Sequence, residues 1–143
     1  MFFVNVEGAI YKDNKWLLIR RSEKEEHAGG QLSLVGGTVE QEGHTTDILE
    51  RTLKREVREE VGVEVDNLIY VNSSTFVTGA NEHVVDIVFL CQYIGGEAYA
   101  KSTDEVDEVL WLTTEEIMSD PSLPSYLKHN LKLADQKLKS AVC

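Results

Sequence analysis

Three features of this 143-residue sequence predict a mixed sheet held between a few helices, of α+β or mixed α/β class. Short runs rich in β-formers outnumber helical patterns. Only one helical pattern falls in the first two-thirds of the chain. One run, VVDIVFLCQY from Val84, is so continuously apolar that it needs cover on both faces, as a central strand does.

The elements follow in order. Residues 2–11 and 15–21 (KWLLIRR) are β-rich runs joined by Lys12-Asp13-Asn14, the composition of a hairpin turn. Ser22–Leu32 is polar and contains glycine, which predicts a loop. From Asp47 to Val61, the residues Leu49, Leu53, Val57 and Val61 recur four apart, the spacing of one helix face. Asp47 with Glu50 three residues later has the pattern of an N-cap and its capping-box partner, and Gly62 supplies the stop. Val63–Val77 and His83–Tyr93 are β-rich, and Gly95-Gly96 interrupts. Glu108–Leu112 then predicts a short strand, Thr113–Met118 a short helix opened by a Thr cap, and Ser125–Lys139 a last amphipathic helix. With no repeat, low-complexity tract or Pro/Ser-rich linker, residues 1–143 are expected to form one domain.

Composition excludes several function classes. With 42% hydrophobic and 27% charged residues, the chain is too apolar for disorder and too charged to cross a bilayer. No apolar run approaches the roughly 18 residues of a spanning helix. The start, MFFVNVEGAI, lacks a basic n-region and meets Glu7 early, so it predicts a first strand and not a signal peptide. Only Cys91 and Cys143 are present, which argues against a disulfide framework and for a reducing cytoplasm. A formal net charge of −11 opposes binding to a nucleic-acid backbone, because that affinity comes from Lys and Arg neutralising phosphates. A phosphorylated ligand would need a cation as mediator.

The stretch REVREEVGV, from Arg55 to Val63, offers one. At about 100° per residue, Glu56, Glu59 and Glu60 fall within roughly 100° of one another on the helix. Three convergent carboxylates repel, and a cation relieves them. With no Cys or His at zinc-like spacing nearby, the ligand type favours Mg²⁺ or Mn²⁺. Such sites leave positions to water and substrate phosphates, which points to a phosphate ester or diphosphate. A solvated Glu/Arg helix face is the competing reading of the charge pattern alone.

The full string resembles the Nudix box, G-x5-E-x7-R-E-U-x-E-E-x-G-U, where U is a bulky aliphatic residue. Arg55, Glu56, Val57, Glu59, Glu60, Gly62 and Val63 match every specified position of its second half. The surroundings are similar too: a strand ending in Arg20-Arg21, a Gly-Gly pair before the helix, and EVLW (108–111) leading into TTEEI. The first half departs. Counting back from Arg55, the box's first Glu falls at Asp47 and its Gly at Gln41, so the loop after Gly37 holds four extra residues; Leu32 and Val35 stand where Trp and Pro are usual.

The resemblance implies an α/β/α sandwich with a mixed sheet, and a Mg²⁺-dependent hydrolase cleaving the diphosphate linkage of a nucleotide or nucleoside-diphosphate-X substrate. It implies Glu59 and Glu60 as principal metal ligands, Glu56 as a further one, and the Gly37 carbonyl as a backbone ligand. Arg55 would orient a carboxylate. Glu105 and Glu108, in an acidic run before Trp111, are candidates for a general base outside the box, with a solvated loop as the alternative. Arg20 and Arg21 are candidate phosphate contacts. The altered first half motivates a second reading, a catalytically silent module that binds a nucleotide or a protein. Relatives are often homodimers, although the sequence itself marks no interface. No substrate marker is recognisable beyond the box, where Gly79-Ala80 stand. Phe2, Phe3, Phe76, Phe89 and Tyr93 could stack a base, with core packing the expected job of most of them; Cys91 is a small buried hydrophobe, and His27, His44, His83 and His129 have no mutual metal-site spacing.

Overall fold

The computed structural model describes residues 1–25 and 29–142, with the side chains of 141–142 left aside; Glu26, His27 and Cys143 lie outside the described residues. The chain order is β1 (Phe2–Lys12), β2 (Lys15–Arg21), β3 (Leu32–Ser33), β4 (Val35–Thr38), α1 (Ile48–Val61), β5 (Glu64–Val77), β6 (His83–Gly95), β7 (Val106–Leu112), α2 (Thr114–Ser119) and α3 (Ser125–Val142). Asp13 and Asn14 both take positive φ, 50° and 66°, so the β1–β2 connection is the two-residue turn whose twist matches a hairpin.

The seven strands form one mixed sheet, β3-β2-β1-β6-β5, with β4 added on β1 and β7 on β2. β1 and β6 run parallel from Phe2↔His83 to Tyr11↔Gln92, and β5 pairs antiparallel with the other edge of β6. The predicted central strand is thus central. On its opposite edge β1 has two partners: β2 at Tyr11 and Lys12, and β4 at Asn5–Gly8. The run from Leu32 to Thr38 begins as a partner of β2 and ends as a partner of β1, so the sheet splits beside Asn5–Gly8. The polar loop expected to run to Leu32 therefore gives way to two short strands, which their glycines and length concealed.

Side-chain alternation sends the two faces of the sheet to different helices. Val6, Ile10, Leu17 and Ile19 pack with Leu53, Val57 and Val61 of α1. Ala9, Trp16, Leu18, Val88 and Leu90 pack with Ile117 of α2 and Leu127 and Leu131 of α3. Buried Trp16 also donates its indole N–H to Thr114 Oγ1 at 2.9 Å, tying α2 to the hairpin. Thr113 opens α2 with a complete capping box to Glu116. Asp47 does precede α1, but in the left-handed conformation and without a side-chain cap bond, so its predicted capping box does not form. Left-handed Gly62 ends α1 as expected, its N–H bonded to the Arg58 carbonyl at 3.1 Å.

Candidate functional site

Leu53, Val57 and Val61 point the buried stripe of α1 at the sheet, and Glu60 lies on that same stripe, seven residues after Leu53. An acid in an apolar stripe is a sequence signal that charge clustering alone overlooks. Only 4% of Glu60 is exposed. Two features hold the end of the helix against the following chain. The Lys101 and Ser102 N–H groups donate to the Glu60 carbonyl at 3.0 and 3.2 Å, and Tyr99 N–H donates to that of Val61 at 3.1 Å. Ser22 N–H, just past β2, donates to the Glu105 carbonyl at 2.9 Å. The helix end and the end of β2 together fix the turn that carries Glu105.

Carboxylate oxygens of Glu56, Glu60 and Glu105 consequently lie within 4.8 Å of one another, the one such group among the described residues. Glu60 Oε2 is buried without a hydrogen-bond partner. Burial first, then a hydrogen bond to Glu56 and repulsion from Glu105 and Glu56, push the Glu60 carboxyl up to about 10, against a downward pull from Arg21. Burial and the charges of Glu56 and Glu25 raise Glu105, which Ser102 partly offsets. A proton can relieve this group, and so can a divalent cation. The donor set, all carboxylate, suits a hard cation such as Mg²⁺ or Mn²⁺.

The glycine pair makes room. A Cβ on Gly37 would sit 2.5 Å from the Glu56 carboxyl carbon, and one on Gly36 would sit 1.9 Å from the Val6 carbonyl oxygen. β4 can therefore lie on β1 and beneath Glu56 only with bare backbone. The split in the sheet opens into a cavity of about 450 Å³, lined among others by Asn5, Glu7, Arg21, Gly37, Glu56, Glu60 and Glu105. A larger hollow of about 730 Å³ between Tyr11, Thr113 and Leu138 is lined by Glu115 and Asp135 but holds no group of three converging acids.

The remaining candidates are distributed unevenly. Glu59 stands outside the three-carboxylate group, largely exposed, with Arg55 Nε 4.0 Å away. Arg55 Nη2 also donates to Glu56 Oε1 at 3.2 Å. Arg21 lines the cavity and pairs with Glu25 at 3.8 Å. Arg20 instead bonds Glu108 Oε1 at 2.7 Å and the Gly30 carbonyl at 3.1 Å, so Arg20 and Glu108 occupy each other on the surface. Burial pushes the Cys91 thiol up to about 12, leaving a packing residue and no nucleophile. No helix among the described residues is long and apolar enough to cross a membrane.

Comparison with known proteins places this geometry. The family described as NUDIX domain matches residues 1–133. An ADP-ribose pyrophosphatase of Methanocaldococcus jannaschii is 39% identical over 107 residues, covering 73% of this chain and 58% of the relative. An NAD-capped RNA hydrolase of Pseudomonas aeruginosa is 32% identical over 104 residues, covering 73% and 34%. The matches thus span 58% and 34% of these relatives' own lengths. Among solved structures, a MutT protein from Methanosarcina mazei superposes with a TM-score of 0.78 at 26% identity, covering 96% of both chains. The NUDIX domain of Shewanella oneidensis NrtR, solved with ADP-ribose, shares the fold with a TM-score of 0.76 at 18% identity, covering 96% of this chain and 89% of that one.

Proposed function

The chain belongs to the Nudix family, and from that premise we propose that it is a Mg²⁺-dependent pyrophosphohydrolase cleaving the diphosphate linkage of a nucleotide or nucleoside-diphosphate-X substrate. One observation carries this reading: the orphaned, buried Glu60 Oε2 among the carboxylates of Glu56 and Glu105, over a glycine backbone that leaves space. An unrelieved buried carboxylate costs stability, and a site that retains one needs a ligand to compensate.

In this reading Glu56, Glu60 and the Gly37 carbonyl hold the cation, with Glu59 joining from the rim. Bound there, Mg²⁺ or Mn²⁺ would supply charge neutralisation on the diphosphate and a water of lowered pKa. Arg55 keeps Glu56 oriented. Arg21, on the cavity wall, faces the substrate phosphates. Glu105 takes the water's proton: its raised pKa brings it nearer neutrality, which improves a base, and Glu108 is already committed to Arg20. ADP-ribose, named for one relative's activity and for one neighbour's ligand, is the first substrate to try. We place the reaction in the cytoplasm, in keeping with a free buried Cys91, and expect no phosphate-backbone partner at a net charge of −11.

The test is Mg²⁺-dependent release of phosphate or nucleotide from a panel of nucleotides, nucleoside-diphosphate sugars and dinucleotides. Wild type turns over at least one, and Glu60→Gln loses that activity; equal inactivity of both across the panel rejects the enzyme. The exposed position of Glu59 favours a second reading, the silent binding module. Its mark is thermal stabilisation by a nucleotide without Mg²⁺ and no turnover when Mg²⁺ is added.

A further inference from the structure

The cavity has a second wall, unlike the first. Val6 and Ile10 pack toward α1 while Ala9 packs toward α3, so the alternation of β1 puts Glu7 on the α3 side of the split sheet. Behind it lies Asp86 of β6, only 4% exposed, whose Oδ1 accepts from Asn5 Nδ2 at 2.8 Å. Burial, a hydrogen bond to Asp86 and repulsion from Asp86 hold the Glu7 carboxyl well above the usual range, which favours the form that donates to Asp86. Two side-chain donors are thereby spent on one buried carboxylate. Glu7, with its O–H spent there, keeps acceptor capacity for the cavity it lines, while Asn5 keeps one N–H and its carbonyl.

We propose that Glu7, set by Asp86 and Asn5, is a specificity-determining residue that selects substrates whose organic group bears an amino group. The inference rests on the hydrolase reading for the diphosphate end of the same cavity. Such an amino group donates to the Glu7 oxygen. A carbonyl at that position sets acceptor against acceptor, leaving both unpaired away from water; sites built around a substrate's donor discriminate most strongly against analogues that lack it. A further phosphate at this end meets two acids and is excluded.

Calorimetric titration in the presence of Mg²⁺ tests this with two pairs of probes that differ in one group, AMP against IMP and CMP against UMP. Wild type binds the amino member of each pair tighter, on the order of tenfold. Glu7→Gln, which keeps an acceptor oxygen and a donor for Asp86, retains the preference. Glu7→Met, with its fold checked by circular dichroism, brings the ratio near one. Equal or inverted affinities in wild type, a preference that survives Glu7→Met, or no saturable binding of any probe overturns the proposal. A wild type that shows the preference yet cleaves no diphosphate rejects the hydrolase and leaves the selecting wall; turnover without the preference does the reverse.

Discussion

Two sets of acids meet at one cavity, each built around one buried member, Asp86 in the first and Glu60 in the second, and they are wired in opposite ways. Glu7 hydrogen-bonds Asp86, and Asn5 fills an oxygen of Asp86, so the buried member of this set has its partners within the protein. Glu56, Glu60 and Glu105 are equally crowded, yet an oxygen of Glu60 is left without a partner. The difference teaches that burial alone does not mark a metal site. The mark is burial whose hydrogen bonds do not balance.

Breaking the open set has the largest expected effect. Glu60→Gln lowers Mg²⁺-dependent turnover by at least about a hundredfold, since several kcal/mol of charge stabilisation are at stake. The same change removes a strained carboxyl, so the metal-free variant melts above wild type at alkaline pH; a drop in both activity and melting temperature would show Glu60 to be structural. Next comes Gly37→Ala, whose added methyl displaces Glu56 and costs turnover about tenfold to a hundredfold, with a much smaller change in the melting temperature.

The pH dependence sharpens the contrast. Glu60 moves from an ordinary 4.5 to about 10 on folding, so the folded protein binds its proton more tightly than the unfolded chain. Stability from this source is complete below about 4.5 and is lost as pH rises toward 10; Glu7 contributes with the same sign. Metal-free melting temperatures should therefore fall from mildly acid to alkaline pH, less steeply in Glu60→Gln. Mg²⁺ competes with the proton, so adding it in weak buffer releases acid and flattens the profile. A wild-type profile already flat without metal contradicts this.

The closed set responds oppositely to damage. Asn5→Ala takes a donor from buried Asp86 and costs about 1–3 kcal/mol in denaturant unfolding. Smallest of all is the exposed Arg20–Glu108 pair: a double-mutant cycle to alanine should give at most about 1 kcal/mol. A large loss of turnover in Glu108→Ala would return that residue to the list of candidate bases.

Much of this architecture was legible in local pattern. Helix α1, the stop at Gly62, the Asp13-Asn14 turn and the central position of β6 each follow from spacing or from turn chemistry within a few residues. The misses share a cause. Asp47 looked like a cap, but its left-handed backbone denies it that bond, which no composition reveals. β3 and β4 are too short for a period to register. Glu59 and Glu60 are adjacent letters, and the helix turns one outward and the other into the core stripe. Glu105 joins Glu60 only because the turn before β7 bonds to the end of α1 and to Ser22, contacts that no window of sequence contains.

The parallel pairing of β1 with β6 has a consequence for biosynthesis. During synthesis β1 cannot meet its long partner until residues near Gln92 have emerged, and Glu105 follows later still. Until then β1 offers an open edge and half of each core, so nascent chains stalled before that point are the species most in need of chaperones. Pairings this distant in sequence are slow to close. The cavity and its three-carboxylate group are therefore among the last features to form.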